Sequence, residues 1–279
     1  MRFSVIIPYA QNHDTFRACI ESVRAAADAL ATVDATQGVE ILCVNGGSHD
    51  GTDFIVDEYV ARDGRIVPFA DWPCDRGGPG PGPARNFGLA HATGDYIVFV
   101  DADDVLEADA LVRLKDVRAD IVTSLGPVRT YDLTSADGRR RLFQPLVGNL
   151  LVWNAIWRRS ALADVRFPNL MNYEDLVFTC AAFARAKTVQ AGMRPWYRHT
   201  VRPHGCAQSG GWRRVREGFV SRRLMCAALA GTCEAWGLKF ILAKKMTLHV
   251  LLHALAYVPG AAGRSLREVL TREKEPCDG

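Results

Sequence analysis

The sequence predicts an α/β fold, a mostly parallel sheet with helices on both faces, followed by a helical C-terminal extension. Two observations predict the sheet. Short apolar runs of strand length alternate with segments of helical spacing through the first hundred residues, an order that calls for parallel strands joined by helical crossovers. The runs are continuous rather than alternating, as in strands covered on both faces. A third observation, helical spacing from residue 215 onward, predicts the extension.

Taken in order, residues 3–7 are a short β-branched run ended by Pro8 and read as the first strand. A helix over residues 14–30 places Phe16, Ile20, Val23 and Ala27 on one face. Residues 39–44 read as a second buried strand, closed by Asn45, Gly46 and Gly47. Residues 52–61 return to helical spacing through Phe54, Ile55, Tyr59 and Val60. A strand at residues 66–69 leads into a glycine- and proline-rich stretch, residues 76–83. Such a stretch suits neither helix nor sheet interior and is predicted as an exposed loop of the kind that carries function. A helix over 84–92 and a strand over 95–100 complete the first half. Strands follow at 120–124, 128–131 and 153–158, with a turn at 135–138. A helix over 174–186 buries Leu176, Val177, Cys180, Phe183 and Ala184.

Hydrophobic residues at 48% and charged residues at 23% describe a chain with an ordinary buried core. The net charge of +3 is unevenly spread. Residues 1–193 hold 19 Lys+Arg against 25 Asp+Glu, and residues 194–279 hold 15 against 6. An acidic body argues against a nucleic-acid binder, whose basic surface belongs to the folded domain. The basic tail suits anionic lipid, an anionic acceptor or an acidic partner, or else a solvated helix face. Eight cysteines without a C-x-x-C pair support neither a zinc cluster nor a redox motif and fit a reducing cytoplasm. The first apolar run is too short for a signal sequence. The longest one, residues 246–262, is interrupted by His249, His253, Pro259 and Gly260, short of the roughly 20 residues of a membrane span. A cytoplasmic location is expected, at the inner face of the membrane where the tail meets lipid.

Three motifs can carry chemistry. Asp101, Asp103 and Asp104 follow a hydrophobic strand at its carboxyl end. Crowded carboxylates without a counter-charge are costly or take up a proton. A hard divalent cation, Mg²⁺ or Mn²⁺, resolves the repulsion and bridges nucleotide phosphates. The competing reading has Asp103 or Asp104 capping a helix that starts near Val105, which accounts for one carboxylate and not three. Residues 45–52 form a glycine-bearing turn after a strand, able to approach a ligand closely, or an ordinary turn with Asp50 or Thr52 as helix cap. Glu174 and Asp175 open an apolar helix, either as favourable first-turn charges or with an aspartate acting as general base on a bound hydroxyl.

Together these segments, with Ser4 to Pro8, Gly82 to Leu89 and Gly94 to Ile97, occur in an order that resembles family 2 glycosyltransferases of the GT-A fold. The resemblance covers about residues 3–205, and divides the chain into a catalytic domain, 1–205, and a basic, mainly helical extension, 206–279. It implies an inverting transferase that moves a sugar from a nucleotide-sugar donor, commonly a UDP-sugar, to a hydroxyl of a glycan or lipid-linked acceptor, using Mn²⁺ or Mg²⁺. Pro8 and Tyr9 then match positions beside the nucleobase, and Arg85 one near the nucleotide. Asp101 would face the ribose or diphosphate and contribute to the metal site, and Asp103 would bind the metal. Asp175 matches the catalytic base, with Glu174 beside it.

One departure bears on the donor. Where the family carries two acids before Gly-Ser, this chain has Asn45 and Gly46. Gly46 offers no side chain to a nucleobase, while Asn45 offers a donor and an acceptor. The segment 196–205 is similar to a Tyr-Arg segment late in such domains. There His199 or His204 could reach metal or diphosphate and Arg198 or Arg202 could pair with phosphate, or all could be surface groups. The tail reads as a packed helical extension with some contact to a membrane surface. A nucleotidyltransferase and a catalytically silent nucleotide-binding scaffold are the alternatives. The first normally carries a basic glycine-rich loop after strand one, absent here, and the second is favoured by Asn45 and Gly46.

Overall fold

A computed structural model describes residues 1–70, 80–135, 137–139, 141–142, 151–200 and 212–230. In chain order its elements are β1 (Arg2–Tyr9), α1 (His13–Val33), β2 (Gly38–Asn45), α2 (Thr52–Val60), β3 (Ile66–Phe69), α3 (Gly82–His91), β4 (Tyr96–Phe99), β5 (Val105–Leu106) and α4 (Ala110–Leu114). They continue with β6 (Ile121–Thr123), β7 (Arg129–Asp132), β8 (Ala155–Arg158), α5 (Arg159–Leu162), α6 (Glu174–Arg185), β9 (Thr188–Ala191), β10 (Tyr197–Arg198) and α7 (Trp212–Ala230).

Eight strands form one sheet in the order β3-β2-β1-β4-β8-β6-β9-β7, and β10 pairs with β5 apart from it. Strands β1 to β4 are mutually parallel through β1–β2, β1–β4 and β2–β3. β8 runs against both β4 and β6, β9 follows β6, and β7 runs against β9. Only β7 and β8 are therefore reversed, and the sheet is mostly parallel as predicted. Both faces are covered. Phe3, Val5, Ile7 and Tyr9 of β1 join α1 in one core cluster, while Ile6 joins the other. In β4, Tyr96 and Val98 face the first cluster and Ile97 and Phe99 the second. A strand apolar on both sides reads as a continuous run, which is why the sequence shows no alternation.

The differences from the expected elements have local causes. Gly82 and Pro83 belong to α3 rather than to the preceding loop, because proline is tolerated in a first turn where its missing N–H has no partner to lose. No helix starts near Val105; that residue opens β5, and the next helix begins at Ala110. Val152 to Asn154 form a 3₁₀ turn, so the strand expected at 153–158 is confined to β8. Asp137 to Arg139 are helical where a turn was expected. Among the described residues no helix is long and apolar enough to cross a membrane. The stretch 246–262, most of the basic tail, His204 and Arg202 lie outside the described residues.

Candidate active site

The parallel strands deliver their carboxyl ends to one edge, where ligands bind in open α/β sheets. Strand β4 ends at Phe99, and Asp101 follows within two residues. Its carboxylate receives the Arg85 guanidinium at 2.6 Å, while the other arm of Arg85 reaches Glu174 at 2.8 Å. Arg85 and Glu174 are 5% and 8% exposed at their side chains, against 27% for Asp101. One buried cation thus joins the strand-end carboxylate to the first residue of α6. Burial works against the Arg85 charge, but Asp101 and Glu174 outweigh it and keep the group protonated. Among the described residues the buried Arg85 Nε has no hydrogen-bond partner.

An aromatic cluster fixes these two ends. Phe178 of α6 stacks on Phe167 at 4.0 Å between ring centres, and Phe99 of β4 meets both edge-on at 5.3 and 5.6 Å. Arg85 lies over the Phe167 ring at 5.4 Å. The start of α6 and the end of β4 therefore share one close-packed core, which holds the carboxylates they carry in a set relation.

Within that frame Asp175 is half-buried, and its Oδ1 accepts the Leu176 N–H at 2.8 Å. Burial, reinforced by the neighbouring Glu174 charge, pushes the Asp175 carboxyl up to about 7, with Arg85 pulling the other way. Burial also raises Glu174 against the attraction of Arg85. A carboxylate poised near neutral pH has a proton affinity suited to general-base work.

The three aspartates after β4 divide their roles. Asp104 is 1% exposed; it accepts the Tyr197 hydroxyl at 2.6 Å and the Thr200 N–H at 2.6 Å. Burial nevertheless raises its pKa. The Tyr197 oxygen also accepts the Asp101 N–H at 3.0 Å. None of the aspartates caps a helix at Val105: Asp104 instead ties the segment to the strand β10. Asp101 and Asp103 keep partial exposure. Among the described residues no group of three or more His, Cys, Asp or Glu side chains is gathered as a metal cage. Two accessible carboxylates suit a cation that takes its remaining ligands from water and substrate phosphates, as Mg²⁺ and Mn²⁺ do at nucleotides. The residues present fit that use.

The other end of the edge is built from β1 and β2. Tyr9 and Asn45 are paired in register at the carboxyl ends of these strands, and Pro8 is buried beside them. Tyr9 is 2% exposed, its ring edge-on to Phe16 at 5.2 Å and its hydroxyl donating to Asp53 at 2.5 Å. Burial, with Asp53, raises its pKa. The Asn45 amide donates to Asp53 at 3.0 and 3.2 Å, and its oxygen accepts the N–H groups of Gly47 at 2.8 Å and Ser48 at 2.7 Å. That carboxamide shapes the turn. Asp50 accepts the Thr52 N–H and hydroxyl, and the residue that caps α2 is Gly51, at φ +86° with no side-chain cap bond, rather than Asp50 or Thr52. Gly46 remains exposed.

Sequence reasoning gave no role to Asp53, Tyr197 or Trp153. Trp153 stacks on Tyr197 at 4.8 Å and on the exposed His199 at 5.6 Å. Tyr197 meets Asp104 across 93 positions, and no local pattern announces such a pair. Arg198 is exposed on β10.

The family model "Glycosyl transferase family 2" matches residues 4–186. Poly(ribitol-phosphate) beta-glucosyltransferase of Bacillus spizizenii is 27% identical over 225 residues, covering 74% of this chain and 33% of that protein. The chain spans 33% and 60% of the lengths of two curated relatives it matches. S. aureus TarS 1-349, crystallised with UDP-GlcNAc, is similar at a TM-score of 0.66 and 20% identity, covering 92% of this chain and 73% of that one. Mannosyltransferase PcManGT from Pyrobaculum calidifontis, in complex with GDP-Man and Mn²⁺, gives a TM-score of 0.53 at 19% identity, over 98% and 80%. With a sheet and carboxylate edge of this kind and a match over residues 4–186, the chain belongs to glycosyl transferase family 2, on the GT-A fold.

Proposed function

We propose that the chain is an inverting glycosyltransferase that moves a sugar from a nucleotide-sugar donor, a UDP-sugar, to a hydroxyl of a glycan or lipid-linked acceptor. The observation that carries this reading is the buried Arg85 bridge, which joins Asp101 at the end of β4 to Glu174, the neighbour of Asp175 at the start of α6. Family membership supports the reaction class. TarS with UDP-GlcNAc and PcManGT with GDP-Man and Mn²⁺ share the fold, which supports nucleotide-sugar chemistry and leaves the nucleobase to local side chains.

In this reading Asp103 and Asp101 would hold a divalent cation at the donor. The cation, when bound, neutralises charge growing on the departing diphosphate. Asp175 accepts the proton of the acceptor hydroxyl as its oxygen attacks the anomeric carbon. The bond to the diphosphate breaks on the opposite face, so the configuration inverts in a single displacement. Arg85 holds Asp101 and Glu174 in place, and Glu174 holds the start of α6. Pro8 and Tyr9 supply a wall and backbone groups beside the base. Asn45 contributes by shaping the turn, and the exposed Gly46 stands where the family's second acid would meet the base. The basic tail meets an anionic acceptor or the membrane surface on the cytoplasmic side.

The test is a panel of nucleotides and nucleotide sugars, with and without Mn²⁺, followed by thermal shift and then by release of free nucleotide. Stabilisation by UDP-sugars that depends on Mn²⁺, with UDP released on transfer, supports the proposal. Release of a nucleoside monophosphate or pyrophosphate would identify a nucleotidyltransferase. No Mn²⁺-dependent binding of any nucleotide sugar would overturn the donor assignment.

A further inference from the structure

Helix α7 lies wholly beyond residue 186, where the family match ends. One of its side chains nevertheless reaches the loop that opens the base helix. Glu217 is 4% exposed. Its Oε2 accepts the Asn172 backbone N–H at 3.0 Å and the Asn172 side-chain amide at 2.8 Å, and its Oε1 accepts the Met171 N–H at 3.4 Å. Helix α7 packs along α6, so the carboxylate is removed from water, and a buried carboxylate is tolerated only with donors of this kind.

The residue after this clamp is Tyr173, whose φ of +66° and ψ of +11° place it in the left-handed region. A bulky side chain is strained there and stays only where its surroundings hold it. Both flanks are held. Glu217 grips Asn172 on one side, and on the other Glu174 is bound to Arg85. The left-handed step turns the chain from loop into helix, so its geometry decides where Glu174 and Asp175 stand.

We propose that Glu217 is a positioning residue for transfer, supplied from outside the matched family segment: it fixes the backbone of Met171 and Asn172, and through Tyr173 the placement of Glu174 and Asp175. The inference rests on the reading of Asp175 as the base. It makes α7 part of the catalytic unit rather than an appendage.

The test uses the full chain as wild type, Glu217→Ala and Glu217→Gln. Carboxyl ¹³C titration by NMR, with Asp175→Asn identifying the signal, reports the surroundings of Asp175 directly. Glu174, Arg85 and Asp101 are the charges that act on it. In Glu217→Ala the Asp175 midpoint should move down from near 7 by about a unit, and turnover should fall about 10- to 100-fold, the loss expected from a misplaced catalytic group. UDP affinity in Mn²⁺ should stay within about twofold, since the donor carboxylates lie in the segment after β4. Glu217→Gln, which keeps one accepting oxygen, should lie between, and it decides the matter if the alanine variant does not fold. An unchanged Asp175 midpoint in a folded variant would overturn the proposal. The titration needs no substrate, so absence of turnover in the wild type would count against the donor reading while the midpoint still tests the role of Glu217.

Discussion

Replacing Asp175 by asparagine separates the chemistry of the proposed base from its cost to folding. In the folded protein, burial and the Glu174 charge hold the Asp175 carboxyl at about 7, above its ordinary 3.8. A folded state that binds a proton more tightly than the unfolded chain loses stability as pH rises. The penalty is absent below the unfolded pKa of 3.8, grows up to pH 7, and is complete above it. At about 1.36 kcal/mol for each pH unit, it reaches about 4 kcal/mol, an upper figure because Glu174 shares the titration. Asparagine is nearly the same size and never ionises. The stability difference between Asp175→Asn and wild type should therefore widen by about 3 kcal/mol in the variant's favour from pH 5 to pH 8. Urea denaturation at the two pH values measures it, and nucleotide release and calorimetry with UDP and Mn²⁺ follow activity and binding. Turnover should fall about 10²- to 10⁴-fold, as for loss of a general base, with UDP affinity retained. A stability difference that is the same at both pH values would refute the raised carboxyl, and near-normal turnover would remove Asp175 as base.

Asp103→Ala should abolish the Mn²⁺-dependent part of UDP binding, and unchanged calorimetric affinity in Mn²⁺ would refute the metal assignment. Arg85→Met leaves Asp101 and buried Glu174 without their counter-charge and should cost about 3–5 kcal/mol in urea denaturation; a loss below about 1 kcal/mol would show the bridge to be dispensable. Gly94→Ala sets a Cβ 2.6 Å from Ser4 Oγ and 2.7 Å from the Ser4 backbone nitrogen, which should destabilise by about 1–3 kcal/mol, read as a lowered urea midpoint. At Gly46, where a Cβ would stand 3.2 Å from the Tyr9 carbonyl oxygen, aspartate fits with a small adjustment. Gly46→Asp should tighten UDP binding about tenfold by restoring a charged hydrogen-bond partner, and an unchanged Kd would show that the base is not read at this position.

How much was legible in the sequence follows the range over which each cause acts. Strands β1 to β4 and their helices were readable because burial on both faces writes itself as continuous apolar runs, and helix period is a local signal. Asp101, Asp103, Glu174 and Asp175 were readable as candidates because unneutralised carboxylates at the end of an apolar strand or the start of an apolar helix stand out within a few residues. The short elements β5, α4, α5, β9 and β10 carry too few residues to show a period. The division of labour among the aspartates was not legible. Tyr197 and Thr200 engage Asp104, and those partners arrive only when β10 pairs with β5. Asn45 looked like a free amide in sequence, and the fold commits it to Asp53 and the turn. Sequence by itself determined the sheet, the order of the motifs and the family. Tertiary structure alone decided that Arg85 joins Asp101 to Glu174 and that Glu217 of α7 reaches the loop before α6. A charge pair between residues 89 positions apart depends on packing that no local window contains, and the field at Asp175 depends on that packing.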